Sequence, residues 1–478
     1  MTDISMGFAP IDILSAEQCD RIHTATMDVL WNIGVYMPHA EARSILADAG
    51  GKIKPGEWVC LPEEAVKKAI ESAPSVIRLT GFDPDKSVDI GGTNVAFMSG
   101  AGHLDVLDLD GTIRDSTLDD LAEFTRLCDA LEYLDVHHGI LDPRDAQGPA
   151  LYPLAASRII PNITKPTALV IDTARDVEAI GEMAAVALGS REAARERPFF
   201  TLHDSNTRPP LRYDSKNADV ILAASRLGFP TGVTSWPMPG LSSPVTVAGS
   251  MAQKYASYFA GLVLAQTVNP GVPFIFPVEI GGADMRTANV VTASPEIALA
   301  GIAGAQMARY YGLPSVAVTA TDAKTPDAQA GAEKAFLLAT QAMAGANLIH
   351  GCTTEMDGML VASLEQCVID NDIMAMTRRL ISGFVIDDVS LALDVIEEVA
   401  LGDGNFMVHP HTGEHFKEAT FDPDVFTREN RATWMKKGSQ TARQVANETA
   451  RQILAEHHPK PLSKEQVSEL ERIAESYR

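Results

Sequence analysis

Residues 315–351 read SVAVTATDAKTPDAQAGAEKAFLLATQAMAGANLIHG. The stretch opens on a β-branched and small run at 316–319, continues through a polar segment at 321–327 that holds Pro326, and then turns Ala-rich with helix-forming composition. A second short apolar run, 346–349, stops at His350. The order is strand, loop, helix, strand. Two strands joined through a helix must lie parallel, with the helix as the crossover. Thr319, Thr321, Asp322, Lys324, Asp327 and His350 then fall just after a strand, where α/β folds place their sites.

Outward from this unit the same rhythm repeats. Short β-type runs begin near Val95, Val136, Thr167, Phe199, Thr231, Pro273, Ser315 and Asn347, with starts 31 to 42 residues apart. Helical patterns lie between most of them, at 118–133, 174–188, 218–227, 246–267, 295–311 and 329–344, and a last one follows at 361–381. Ser294-Pro295-Glu296 is a well-formed helix start, and Gly312 with Pro314 is the matching stop. Eight strands alternating with helices predict an α/β fold, a (β/α)8 TIM barrel with α-helical N-terminal and C-terminal extensions. The expected division is a helical cap at 1–90, the barrel at 91–383 and a mostly helical extension at 384–478. The cap holds helices starting at Ser15, at Ala40 and at Pro62, and 88–112 alternates like hairpin strands around Gly91-Gly92 and Asp110-Gly111. The segment after Ile140 shows no clear pattern. The tail reads as helices at 389–399, 428–457 and 463–477, of a kind that packs on a neighbour or plugs a barrel base, and a homo-oligomer is expected.

Charge narrows the partners. With 39 Lys+Arg against 63 Asp+Glu the net charge is -24, which repels nucleic acid and anionic membrane surfaces. The five cysteines are odd in number and form no CxxC pair, so a disulfide scaffold and a thiolate zinc cluster are not expected, and a reducing cytoplasm is. The N-terminus has no basic region before an apolar core, and no run of about 18 apolar residues occurs; the nearest, 256–268, is broken by Tyr258, Gln266 and Thr267. A soluble cytoplasmic protein is expected.

Each chemically suggestive stretch has a plain reading beside it. Gly100-Ala101-Gly102 lacks the third glycine of a phosphate loop and reads as a tight turn. The loops after the last two strands hold Asp322, Asp327, Glu355 and Asp357 against Lys324, a better environment for a cation than for an anion. His409, His411 and His415 have metal-like spacing but no completing ligands, so the segment reads as a loop near the mouth or a subunit contact, with no metal. His137 and His138 are neighbours on a strand, so at most one lines the interior. His203 with Asp204, Ser235 with Trp236, Glu279 with Asp284, and His350 all sit at strand ends and would converge on one barrel mouth. Phe97, Trp236, Phe276 and Tyr310 offer aromatic faces, which serve either packing or recognition of a quaternary ammonium. No GxSxG nucleophile occurs, and Cys352 and Cys367 lack the surroundings of a catalytic thiol.

With those residues in view, a likeness to a known family is plain. The run 321–331 (TDAKTPDAQAG), Glu333-Lys334-Ala335 and 344–350 (AGANLIH) resemble the trimethylamine methyltransferase family, which includes glycine betaine methyltransferases. Similar stretches are Ser235-Trp236-Pro237-Met238, 246–249, 308–314, and His411-Thr412 ahead of His415-Phe416. The resemblance implies a TIM barrel that moves a methyl group from a methylated amine to the cobalt of a corrinoid (cobalamin) carried by a separate protein. It also implies that no cofactor is bound in this chain, since Asp135-Val136-His137-His138-Gly139 is one residue short of a DxHxxG corrinoid pattern. Trimethylamine-specific members carry pyrrolysine, and only the standard twenty residues occur here, so the donor implied is a quaternary amine such as glycine betaine.

Under that resemblance the expected roles are catalytic for His350 and Asp322, and substrate-binding for Trp236, Phe276, Glu279, Lys324, Phe97 and His203. Glu279, Asp322, Trp236 and Phe276 would surround the cation, and His350 and Lys324 would orient a substrate carboxylate. The expected partners are the small methylated amine and the corrinoid-binding protein. Two other classes stay open: a metal-dependent barrel hydrolase, and a non-catalytic binder of betaine-like solutes.

Overall fold

The computed structural model describes residues 4–203, 207–402, 404–459 and 461–478. Among them, eight parallel strands pair in chain order: β1 (Ala96–Phe97), β2 (His137–His138), β3 (Thr167–Val170), β4 (Phe200–His203), β5 (Thr231–Gly232), β6 (Phe274–Pro277), β7 (Ser315–Val318) and β8 (Leu348–His350). β8 pairs back onto β1, and a parallel bridge from Met98 to Val136 joins β1 to β2, so the sheet closes into a barrel. The helices that follow the strands are α1 (Leu118–Ala130), α2 (Leu151–Ile159), α3 (Ala174–Leu188), α4 (Ser215–Leu227), α5 (Val247–Val268), α6 (Pro295–Tyr311), α7 (Ala328–Met343) and α8 (Leu364–Ile381). The fold is the (β/α)8 barrel that the rhythm predicts.

Local signals set the helix ends. Thr117 with Asp120, Thr173 with Asp176 and Asp214 with Asn217 form reciprocal capping pairs, which satisfy amide donors that the first turn leaves open. Gly312 closes α6 in the left-handed conformation. α2 has no clear helical signature in the sequence because Pro153 lies inside it and six of its nine residues are buried, which blurs the polar side of a helical period. α5 is apolar on every side for a different reason: helices Ala16–Asp28, Ala40–Asp48 and Glu63–Ser72 of the N-terminal cap cover the face it turns away from the barrel.

The base of the barrel is plugged from the N-terminal side, not by the tail. Strands Val76–Leu79 and Val88–Gly91 form an antiparallel hairpin whose Ile77, Leu79, Val88 and Ile90 join Ala96, Met98, Val136, Ala168, Ile275, Val316 and Leu348 in one apolar cluster within the lumen. The expected hairpin region therefore divides: 88–91 pairs backward, while Asp105–Leu107 and Ile113–Asp115 turn about Asp110-Gly111. The tail wraps the outside, with Ala442–Glu456 against α1 and α8 and Lys464–Ser476 against α2 and α3. The single helix expected over 428–457 is two, Arg431–Lys436 and Ala442–Glu456, broken where Gly438 and Ser439 take positive φ. Among the described residues no helix is long and apolar enough to cross a membrane.

Candidate active site

The pleat decides which side chains reach the lumen. His138 lies beside Ala168 in the ladder, and His350 beside Val318 and two positions after Leu348, so both imidazoles face inward above the apolar plug. Their rings meet edge to face at 5.0 Å. His137 points outward, 3.4 Å from Ser99 Oγ and 3.2 Å from Thr125 Oγ1.

Above them the loop after β8 carries a carboxylate into the mouth. Thr354, Glu355, Asp357 and Met359 all take positive φ, between 52° and 72°, a conformation that side-chain-bearing residues adopt at a cost and keep only where their surroundings hold them. The clamp is a buried pair beneath the loop: Lys334 of α7 donates to the Gly351 carbonyl and, at 3.2 Å, to that of Thr354, and it faces Asp370 of α8 at 3.4 Å. Asp370 in turn accepts from the Thr354 amide at 2.9 Å, and burial pushes its carboxyl up to about 6. The neighbouring Glu333 does the same for the loop after β7, accepting from Thr321 Oγ1 at 2.5 Å and from the Asp322 amide at 2.9 Å.

Glu355 is fully buried. Its Oε1 accepts from the Ala101 amide at 3.0 Å and lies 3.5 Å from His350 Nε2, while Oε2 lies 3.4 Å from His103 Nε2. His103 Nδ1 is 2.6 Å from the Ile140 carbonyl, which only accepts, so Nδ1 carries a proton and Nε2 turns to Thr354 Oγ1 at 3.1 Å and to Glu355. Burial alone would raise the Glu355 carboxyl, but His103, His350 and Lys334 outweigh it and hold the group below its ordinary value. Burial pushes the His350 imidazole down, with Glu355 opposing, so the ring is neutral near pH 7. Gly100 makes the approach possible, since a Cβ there would stand 2.5 Å from Glu355 Oε1.

A second charged pair lies where α5 meets the loop after β6. Lys254 of α5 meets Glu279 Oε1 at 2.9 Å with both side chains buried, and Glu279 Oε2 has no hydrogen-bond partner among the described residues. Desolvation lowers the Lys254 ammonium against the pull of Glu279. The indole of half-buried Trp236 lies on Gly281, whose missing Cβ would fall 2.2 Å from Nε1.

The other expected site residues are placed differently. Asp322 Oδ1 accepts from Thr292 N at 3.0 Å and Thr292 Oγ1 at 2.7 Å, fastening two loops together. Lys324 is exposed on the rim and paired with Asp357. Phe97 and Phe276 do not reach the mouth, because each stands one residue out of phase with the lumen positions: Phe97 lies under the Arg378 guanidinium at 4.2 Å, and Phe276 packs between Tyr255 and Tyr258 with ring centroids at 4.8 Å. Tyr310 lies on the outside, donating to Asp20. His203 ends β4, and its side chain and Asp204 fall outside the described residues. Among the described residues no group of three or more His, Cys, Asp or Glu is arranged to hold a metal ion, His409, His411 and His415 included. His103 is the member of the cluster with the weakest mark in the sequence, its one signal being its place just beyond β1, a strand of two residues.

A closed (β/α)8 barrel whose buried acids and imidazoles gather at the carboxyl ends of its strands has the architecture in which barrel enzymes place their active sites at the mouth. The chain belongs to the trimethylamine methyltransferase family, whose family model matches residues 1–476, and it is accordingly an enzyme that transfers methyl groups. It is 31% identical over 456 residues to a glycine betaine methyltransferase of Desulfitobacterium hafniense, covering 95% of this chain and 94% of that one. It is 32% identical over 469 residues to the trimethylamine methyltransferase MttB of Methanosarcina thermophila, covering 96% of each. Among solved structures, the monomethylamine methyltransferase MtmB of Methanosarcina barkeri shares the fold, with a TM-score of 0.56 and 13% identity over 93% of this chain and 88% of that one.

Proposed function

We propose that the enzyme takes a methyl group from a quaternary amine bearing a carboxylate, such as glycine betaine, and delivers it to a corrinoid on a separate protein. The observation that carries this reading is the lumen-facing His350 held by the buried Glu355 at the mouth, with the Glu279 carboxylate and the Trp236 ring on the opposite loops. A neutral imidazole can donate to a substrate carboxylate without attracting a bulk anion. Glu279 and Trp236 supply a carboxylate and an aromatic face for the trimethylammonium end. Phe97, Phe276 and Asp322 shape the wall and loops behind these groups.

Loss of a methyl group from a quaternary nitrogen leaves the C–N electron pair on nitrogen and expels a neutral tertiary amine, so no proton need be supplied. The chain's task is to hold one N-methyl in line and keep water away. A corrinoid, when bound at the mouth, supplies reduced cobalt as nucleophile. This chain's own pentad at 135–139 is committed elsewhere: Asp135 accepts from Arg378 and from the Phe97 amide at 2.8 Å, and His137 packs outward on Thr125, which supports a cofactor carried by a partner.

The test is to mix the purified chain with a reduced corrinoid and a panel of methylated amines and follow the corrinoid absorbance. Methylation with a carboxylated quaternary amine, and not with trimethylamine, is expected. Activity with trimethylamine alone would overturn the donor assignment, and silence with every donor together with stoichiometric bound metal would favour a hydrolase.

A further inference from the structure

Thr201 lies in the middle of β4, is 1% exposed, and its Oγ1 has no hydrogen-bond partner among the described residues. Threonines of the flanking strands bond theirs to the backbone: Thr167 Oγ1 donates to the Ala168 carbonyl at 3.4 Å, and Thr231 Oγ1 to that of Leu202 at 3.1 Å. Thr201 turns the other way. The ladder pairs it with Ala168, which pairs in turn with His138, and both of these face the lumen. An unbonded buried hydroxyl costs stability that a valine, of nearly the same shape, would not. Such a group calls for a partner that arrives from outside the chain.

Its place in the ring says what that partner is. β4 stands opposite β8 in the closed circle of eight strands, so Thr201 and His350 look toward one another across the lumen. An eight-stranded interior is only wide enough to be filled by side chains or by one small ligand. The flanking strands β3 and β5 place Ala168 and Gly232 at the lumen beside Thr201, which leaves its hydroxyl approachable. The methyl group that leaves the donor must face the mouth, where its acceptor arrives. The far end of the donor therefore points down the lumen, toward Thr201.

We propose that Thr201 is a specificity-determining residue that reads this far end: its O–H donates to one carboxylate oxygen of the donor and His350 to the other, with the cationic end above them at Glu279 and Trp236. The inference rests on the donor reading given above and adds to it the residue that selects a carboxylated amine. A hydroxyl bonds a carboxylate through a short charge-assisted hydrogen bond. Unlike a lysine or an arginine, it leaves no unpaired cation buried when the donor is absent. An amine without a carboxylate leaves the hydroxyl unbonded, and discrimination follows from that difference.

The test is titration calorimetry of the wild type, Thr201→Val and Thr201→Ser with glycine betaine and with tetramethylammonium, which has the cation but no carboxylate. Loss of one hydrogen bond to a charged group is expected to weaken glycine betaine about 10- to 100-fold in Thr201→Val and to leave tetramethylammonium unchanged. Thr201→Ser keeps the hydroxyl and is expected to bind both as the wild type does. Thermal unfolding without ligand supplies a readout that a structural hydroxyl would move the other way: Thr201→Val is expected to unfold at or above the wild-type temperature, since no bond within the chain is lost. Equal weakening of both ligands, an undiminished affinity for glycine betaine, or a lowered unfolding temperature each overturns the proposal. A wild type that binds glycine betaine no better than tetramethylammonium overturns the donor reading itself, and the proposal with it.

Discussion

His350 and Glu355 carry the sharpest prediction at the level of single residues. The His350 imidazole lies below its ordinary 6.5 and the Glu355 carboxyl below its ordinary 4.5, so above about pH 6.5 the pair is neutral ring and carboxylate. As the pH falls through the depressed value of His350 the ring gains charge and would oppose the cationic donor proposed above, so on that reading kcat/KM is flat near pH 7 and falls on the acid side. Stability falls in the same direction, because the unfolded chain binds that proton first. Glu355→Gln removes the charge that favours the imidazolium, and the acid limb of the pH–rate profile is expected to move to lower pH; a limb that stays in place would assign it to another group. Glu279 and Lys254 make a second test. Glu279→Ala strands a buried ammonium and should cost about 3–5 kcal/mol in denaturant unfolding. Lys254→Met/Glu279→Leu should recover most of that stability without recovering donor turnover, and recovered turnover would make Glu279 a purely structural acid. The place of His350 and Glu279 near the mouth was legible in the sequence because His350 ends β8 and Glu279 lies two residues past β6. Phe97 and Phe276 were not, because a strand run read without its register does not say which face a residue takes, and only the lumen cluster of Ala96, Met98 and Ile275 fixes the phase.

At the level of elements, the turn after β1 shows how a bland reading and a functional one coincide. Gly100-Ala101-Gly102 is a tight turn, as composition implies, and its Gly100 also leaves the space that Glu355 fills. In Gly100→Ala the new Cβ would meet Glu355 Oε1 at 2.5 Å and Cγ at 2.7 Å, pushing the carboxylate off His350 and His103. A displacement of about an ångström in an aligning group costs roughly 100-fold in rate, whereas overpacking costs about 1–3 kcal/mol of stability. The variant is therefore expected to fold, with kcat/KM for the amine donor down by about that factor and a midpoint of unfolding only modestly lowered; steady-state kinetics beside thermal unfolding would separate the two. The eight strand starts read from the rhythm fall within one residue of those observed, because turn residues and β-branched runs are local signals. The strained loop at 354–359 had no such signal: its conformation is imposed by Lys334 and Asp370, which meet it from two separate helices.

Across the whole molecule, stability and chemistry are divided between the two ends of the barrel. The base holds the hairpin plug, with Ile77 opposite Ile90 in the ladder and both in the lumen cluster, and the mouth holds the buried acids and imidazoles. The sequence showed the alternation at 88–91 but not its partner, since the strand that completes the hairpin precedes it and Val76 and Arg78 face solvent. Closing a barrel leaves one end of the lumen to be filled by apolar groups, and here the chain meets that need before the first barrel strand begins. Ile90→Ala removes a fully buried side chain at this end and should cost about 2–5 kcal/mol, more where the plug cannot collapse into the space. The same change lies below the apolar layer that separates the plug from His138 and His350, so KM for the amine donor and the pH–rate profile are expected to stay as in the wild type under conditions where the variant is folded. Urea unfolding and steady-state kinetics on one preparation test both halves. A donor KM that rises together with the loss of stability would mean that packing at the base sets the geometry of the mouth, and the plug would then belong to the working parts of the enzyme.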